Sequence, residues 1–265
     1  MPRFSSRAIL VCLCAAALYA PLGARAQGGP PYITNDPGTP GNGNWELNIG
    51  AVPQVLRGGA SYQAPQIDLN FGLGDRIQLT YEIPYVLDTA SGRALESGWG
   101  NAYPGIKWRF LDQGEDGWQI STFPQLETGV SMRAQQEGIG SPGPRLLLPL
   151  EFAKKVGPVE VNFEAGYYVP WHGPQERIFG LVIGHSFTPT FELDTEIYDD
   201  RAVDALPHAT TLDVGGRYQL HRGIIALFMA GRGISGSAAA QPQFMGYFGI
   251  QILLSHYGRT LNGEP

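Results

Sequence analysis

The residues best placed to do chemistry in this sequence are charged side chains at every second position. Glu192, Asp194 and Glu196 recur at a spacing of two, as do Glu160 and Glu164 on either side of Asn162. In an extended chain that spacing puts them on one face. The same phase collects eleven acids: Glu46, Asp68, Glu82, Glu127, Glu151, Glu160, Glu164, Glu192, Asp194, Glu196 and Asp213. Only Lys107, Arg109, Arg217 and Arg232 oppose them. Lone carboxylates are very costly away from water, so the face must be wet, or some carboxyls must keep their protons. Either way it favours cations over anions. Other chemistries find little support. His172, His185, His208, His221 and His256 are scattered, with no pair at metal-ligand spacing. Gly231-Arg232-Gly233-Ile234-Ser235-Gly236 has the Gly-x-Gly-x-x-Gly form, but it ends a strand and opens no helix that could face a phosphate. No metal, cofactor or catalytic residue is expected.

The elements that carry these side chains alternate apolar and polar residues. Ile77–Ile83, Val159–Ala165 and Phe191–Ile197 show the period of two, and no window of a dozen residues shows a helical stripe. Twelve strands are expected, near 44–53, 61–72, 77–87, 99–111, 117–128, 144–155, 159–170, 177–187, 190–199, 209–220, 223–233 and 243–254. Most have ten to thirteen residues. That is twice the length of an ordinary globular strand and close to the roughly 9–11 needed to cross a bilayer at a tilt. Short turns alternate with longer loops at 54–60, 88–98, 129–143, 171–176, 200–208 and 234–242. Outer-membrane barrels alternate in the same way, with short turns on the periplasmic side. An open sheet edge cannot sit in lipid, so the expected fold is all-β: an antiparallel up-and-down transmembrane β-barrel of about 12 strands. A β-sandwich is the soluble alternative, with the apolar faces turned toward each other.

The first 26 residues read as a signal peptide. Arg3 and Arg7 are basic, Ala8–Ala20 is apolar but too short to span, and Ala24-Arg25-Ala26 offers a cleavage site before Gln27. Both cysteines, Cys12 and Cys14, lie inside it, so the mature chain is expected to be cysteine-free with its formal charge moved from −6 to −9. Residues 27–43 read as an irregular periplasmic N-terminal arm, 44–254 as the barrel, and 255–265 as a periplasmic tail. The acidic balance excludes a basic nucleic-acid binder. The expected partners are outer-membrane lipids, a small-molecule solute, and the barrel-assembly machinery during insertion. The pattern specifies no oligomeric state. Pro53, Pro65, Pro84, Pro104, Pro124, Pro149 and Pro170 fall on seven successive strands. Each lacks an N–H for the ladder, so bulges or broken bonds are expected toward the outer rim, and with them a weak place where an apolar solute could leave sideways.

Several stretches in order resemble one family. Asn35-Asp36-Pro37-Gly38-Thr39-Pro40 followed by Trp45-Glu46 is similar to its N-terminal signature. Gly98-Trp99-Gly100-Asn101 with Gly105-Ile106-Lys107-Trp108-Arg109-Phe110 resembles its Gly-x-Lys-aromatic-Arg-Phe strand. Phe123-Pro124-Gln125-Leu126-Glu127-Thr128-Gly129 resembles its Pro-x-x-Glu-x-x-Gly strand without the usual Pro before Thr-Gly, and Gly231-Arg232-Gly233-Ile234 matches a late strand end. The family is the outer-membrane one named for the meta-cleavage pathway of phenol degradation, and the likeness runs over 31–254. It implies an outer-membrane barrel for passage or uptake of small molecules, hydrophobic or aromatic ones among them. The alternative is a non-conducting structural or loop-display barrel whose side chains fill the lumen. An outer-membrane phospholipase-like enzyme is the third reading. It requires a serine and a histidine side by side on the outer wall.

Overall fold

The computed structural model describes residues 29–90, 94–114, 117–141, 143–203 and 208–255. The expected signal peptide and nearly all of the expected tail lie outside these residues. Fourteen strands follow one another. They are β1 (Trp45–Leu56), β2 (Gly59–Leu73), β3 (Ile77–Ala90), β4 (Glu96–Trp99), β5 (Tyr103–Asp112), β6 (Trp118–Thr122) and β7 (Gln125–Glu127), then β8 (Arg145–Val156), β9 (Val159–Pro170), β10 (Glu176–Thr188), β11 (Phe191–Ala202), β12 (His208–His221), β13 (Ile224–Gly236) and β14 (Phe244–Leu254).

Neighbours in sequence pair antiparallel, and β1 pairs with β14 from Trp45↔Leu254 to Val55↔Phe244, which closes the cylinder. The wall has twelve positions rather than fourteen. Both β4 and β5 pair with β3, and both β6 and β7 lie between β5 and β8, so each of these two wall strands is a broken pair. Long, evenly alternating strands with a polar face and an apolar face have no other way to satisfy every backbone group without a free edge.

Strands overrun their expected ends mainly at the long-loop rim. The loop expected at 54–60 is only the turn Arg57-Gly58, because β1 and β2 continue pairing as far as Leu56↔Gly59. The longest connection, between β7 and β8, carries a single helical turn, α1 (Met132–Gln136), whose first turn is capped by Ser131 Oγ accepting from the Ala134 N–H.

Several breaks in the ladder line up at or beside prolines, while others, at Arg109/Leu111, Thr210/Thr211 and Gln219/His221, have no proline beside them. Register shifts fall between Gly50 and Val52 on β1 and between Gln63 and Gln66 on β2. The partner of β3 changes across Ile83-Pro84, β4 and β5 are parted at 100–102, and β6 and β7 at Phe123-Pro124. These five sites form one seam across adjoining strands, held by isolated bonds such as Gly100 N–H to Pro84 O and Ile106 N–H to Pro124 O. The loop 128–141 lies over it. Ile139, 3 % exposed, sits where a Cβ on Gly98 or Gly100 would touch it, and Asn101 is bonded to the carbonyls of Thr128 and Ser141. The broken pairing that a sideways exit requires is therefore present, under a cover. By contrast the ladder runs unbroken through Pro149, which faces Gly166. A Cβ at Gly166 would lie 2.8 Å from the Pro149 Cα, so glycine makes the room.

The exterior is apolar. Leu69, Leu79, Ile106, Leu148, Leu150, Ile183, Val214, Phe248 and Ile250 are all exposed large side chains in mid-wall or near it. Trp45, Trp99, Trp118 and Trp171 are exposed toward the rims, with Trp45 against Phe71 at 4.6 Å and Lys154 over Trp118 at 4.9 Å. The interior holds the charges. This distribution is that of a barrel with its outside in lipid and rings at its interfaces.

Candidate functional site

Inside the barrel, alternation divides the lumen by height. On β11 the inward side chains run Glu192, Asp194, Glu196, Tyr198 and Asp200 from the short-turn rim upward, and all but Asp200 are buried. On β9 they run Glu160, Asn162, Glu164, Gly166 and Tyr168. The lower half is thus carboxylate and amide, while tyrosines enter in the upper half and Asp200 follows toward the outer rim. Asn48, Asp68, Asn70, Gln78 and Thr80 form a hydrogen-bonded string across the lower wall, with Asn48 Nδ2 2.9 Å from Asp68 Oδ2 and Gln78 Nε2 2.8 Å from Asn70 Oδ1.

The arm expected in the periplasm is instead folded up into this lumen over its described part. It begins at the short-turn rim, where Thr39 Oγ1 donates to the Asp75 carbonyl at 2.9 Å, and it climbs to mid-barrel. There the Thr34 N–H donates to Glu196 Oε1 at 2.6 Å and the Ile33 N–H to Glu196 Oε2 at 3.3 Å. The Asn35 N–H donates to Glu164 Oε2 at 2.8 Å, the Tyr32 hydroxyl reaches the Asp194 carbonyl at 3.2 Å, and Lys107 Nζ donates to the Asp36 carbonyl. Burial, then the Asp194 charge, pushes the Tyr32 phenol well above its ordinary range, so it remains a donor. Two wall glycines are cut to the arm's shape. A Cβ on Gly72 would lie 1.8 Å from the Gly41 carbonyl, and one on Gly180 2.1 Å from Thr34 Oγ1. The arm is therefore a built part of the lumen, and it divides the axis.

Three cavities share lining and descend that axis. The mouth, about 240 Å³, is bordered by Glu176, Asp200, His208, Tyr198 and Met245. Below it a vestibule of about 310 Å³ is walled by Tyr103, Tyr168, Tyr198, Tyr247, Met229, Met245, Leu147 and Ile178, with Glu82 and Glu164 low on the wall and the arm's Gly29–Ile33 as floor. Beneath the arm lies a remnant of about 70 Å³ among Asp36, Glu46, Asp68, Asn70, Gln78, Glu82, Lys107 and Arg217. Glu82 lines both of the lower cavities.

Most of the lumen residues expected from alternation point inward. Glu164, Glu192, Asp194, Glu196, Asp213, Lys107 and Arg217 are buried inside, and Glu82 lines the cavities. Glu127 is buried near the outer rim, where Arg145 clamps it at 2.5 Å, bridges to Glu176, and stacks 3.9 Å over the Tyr168 ring. Arg109 is inward but at the lower rim, donating to the Asp75 carbonyl at 2.7 Å and lying 3.3 Å from Asp112. Arg232 is a correction. It shares its face with Ile234 and the outward Leu212 opposite it, and it is exposed on the outside of the barrel. Near the outer end of a strand an arginine can run its stem along the lipid boundary and keep its head in water, so charge alone did not fix its side. Arg145 was missed, although it is in phase with Glu151 on β8. The tyrosine and methionine lining was missed because only charges were followed along each inward face. Nothing in the Gly- and Pro-rich arm signals where it goes. On the outer wall, His185 Nδ1 donates to the Pro158 carbonyl at 2.8 Å and its ring packs against Phe187 at 4.6 Å, so that histidine is engaged in packing.

A closed β-barrel with an apolar exterior and a charged, partly hollow interior is a membrane-spanning barrel. No family model matches the chain, and no curated protein sequence matches it. Among solved structures it is similar to the COG4313 outer membrane channel from Pseudomonas putida F1, at 12 % identity over 80 % of this chain and 94 % of that one, with a TM-score of 0.63. It is also similar to the KdgM porin (10 % identity, 78 % and 98 % of the two chains, TM-score 0.56) and the NanC porin (6 %, 78 % and 98 %, TM-score 0.52). At these identities the likeness is one of fold.

Proposed function

We propose that this chain is an outer-membrane barrel for the passage of small molecules, exported by the N-terminal signal peptide and related to the phenol meta-pathway family that its motifs resemble. The observation that carries the reading is the descending series of cavities, about 240, 310 and 70 Å³, that share lining residues down one axis. A barrel meant only as a scaffold would fill that space with side chains. The arm is the barrier on the path, and its displacement joins the vestibule to the periplasmic side. The walls are acidic from mouth to base, through Glu176, Asp200, Glu164, Glu82 and Asp68, so cations are favoured. One of the neighbours in fold is a porin solved with oligogalacturonate. An acidic interior of this kind would repel such a polyanion, so the likeness of fold does not carry that substrate over.

Reversal potentials in planar bilayers under a KCl gradient test this. Current is expected with the sign of cation selectivity, and Glu82→Gln with Asp68→Asn is expected to reduce that selectivity. Anion selectivity, or silence from both the intact barrel and one lacking residues 29–41, would overturn it. The second reading, a non-conducting barrel, is favoured by the number of bonds that pin the arm, and silence under both conditions is its signature.

A further inference from the structure

We propose that the vestibule binds a small organic cation, an ammonium group carried on an aromatic or compact apolar body, with the Glu82 carboxyl group as its anchor. This rests on the reading of the lumen as a solute path and specifies what the path selects. The cavity has the volume of a small-ligand site, and its lining is mixed, with tyrosine, methionine and aliphatic side chains beside the amides Gln54, Gln63, Gln66 and Gln125 and the carboxyls Glu82 and Glu164. Five tyrosines line it, Tyr32 of the arm with Tyr103, Tyr168, Tyr198 and Tyr247 of the wall. Aromatic faces attract cations, most strongly where water is thinned.

The charges bordering the cavity are of one sign. Glu82 and Glu164 line it, and among the described residues no lysine, arginine or histidine does. The Arg145 guanidinium, 3.9 Å over the Tyr168 ring, is paired with Glu127 and Glu176. The two acids are not equivalent. Both oxygens of Glu164 face Asn35 of the arm, its N–H at 2.8 Å and its Nδ2 at 3.5 Å. Glu82 lines the cavity and, among the described residues, accepts from Gln66 Nε2 at 2.6 Å on Oε1. An ammonium there would complete the carboxylate's bonding, while its apolar body replaced water among the rings and the adaptable Met229 and Met245. A carboxylate of the same size would meet Glu82 and Glu164 with like charge. At the mouth above, Asp200 is a further carboxyl of the same sign.

Equilibrium binding to the purified barrel in detergent tests this with benzylammonium, benzyl alcohol and benzoate, which share a ring and differ in charge. The expected order is benzylammonium tightest, benzyl alcohol weaker and benzoate weakest. In Glu82→Gln, benzylammonium is expected to lose about tenfold in affinity while benzyl alcohol is unchanged. The unchanged alcohol shows that the vestibule has kept its shape. Benzoate binding as tightly as benzylammonium in the wild type, a result that needs no variant, overturns the proposal. So does Glu82→Gln with the same preference as the wild type. Binding in the expected order by a barrel that conducts nothing overturns the passage reading and leaves this one standing. Cation-selective conduction without the order overturns this one alone.

Discussion

Gly180→Val is expected to hold the barrel open. The valine Cβ would occupy a point 2.1 Å from Thr34 Oγ1 and 2.9 Å from Thr34 Cβ and Cγ2, and Thr34 is fully buried between arm and wall, so turning its side chain still leaves the Cβ contact. The arm must lift, and lifting it breaks the two N–H bonds from Ile33 and Thr34 to Glu196. Hydrogen bonds to a charged group contribute about 1.5–3 kcal/mol each. Losing both shifts the closed-to-open equilibrium by a factor of about 10² to 10⁴. Single-channel recording should then show long openings at the conductance of a barrel lacking residues 29–41. The second variant tests the cause. Thr34→Gly removes the three atoms nearest the new Cβ, so Gly180→Val with Thr34→Gly should return to the closed state. An open double variant would mean that the wall, not the arm, had been altered. A Gly180→Val barrel that stays closed would mean that the arm is no barrier.

The same pair of residues marks how far the sequence could be read. On β9 and β11 each inward residue is fixed by a period of two, because a one-residue slip would turn every charge toward lipid. The strands, their alternation and the sidedness of Glu164, Asp194, Glu196 and Asp213 were therefore legible. Of the prolines expected to break the ladder toward the outer rim, Pro104 and Pro149 stay paired, and the break at Pro84 falls mid-strand. Gly180 was not legible. A glycine in a strand carries no pattern, and its reason is Thr34, nearly 150 residues away in the chain. The arm itself follows no period. Its backbone N–H and C=O groups, rather than its side chains, make most of its bonds, and those are invisible in a sequence. Arg232 failed for the opposite reason. Its type was informative, but at a strand end the rule that charges face inward gives way, since water is within reach on both sides.

Acid excess inside the wall makes the few internal cations disproportionately important, and Lys107 is the clearest case. Its side chain is 5 % exposed, its Nζ lies 3.5 Å from Glu151 Oε2 and 4.7 Å from the centre of the Phe123 ring, and it donates to the Asp36 carbonyl of the arm. Glu151 is fully buried, with Ser121 as its other partner. Lys107→Met keeps the stem and deletes the charge, leaving a carboxylate and an arm carbonyl with no cation between them. Breaking a buried pair on one side costs about 3–5 kcal/mol, because the remaining charge is uncompensated. Urea unfolding of the barrel in lipid vesicles, followed by tryptophan fluorescence, is expected to show a loss of that size. Lys107→Met with Glu151→Gln removes the stranded charge and should recover a large part of it, so that the double variant is more stable than the single one. Equal losses in the two would place the cost in the arm contact instead, and a single variant within about 1 kcal/mol of wild type, the range of exposed pairs, would mean that water reaches Glu151 and that the lower lumen is wetter than its packing implies.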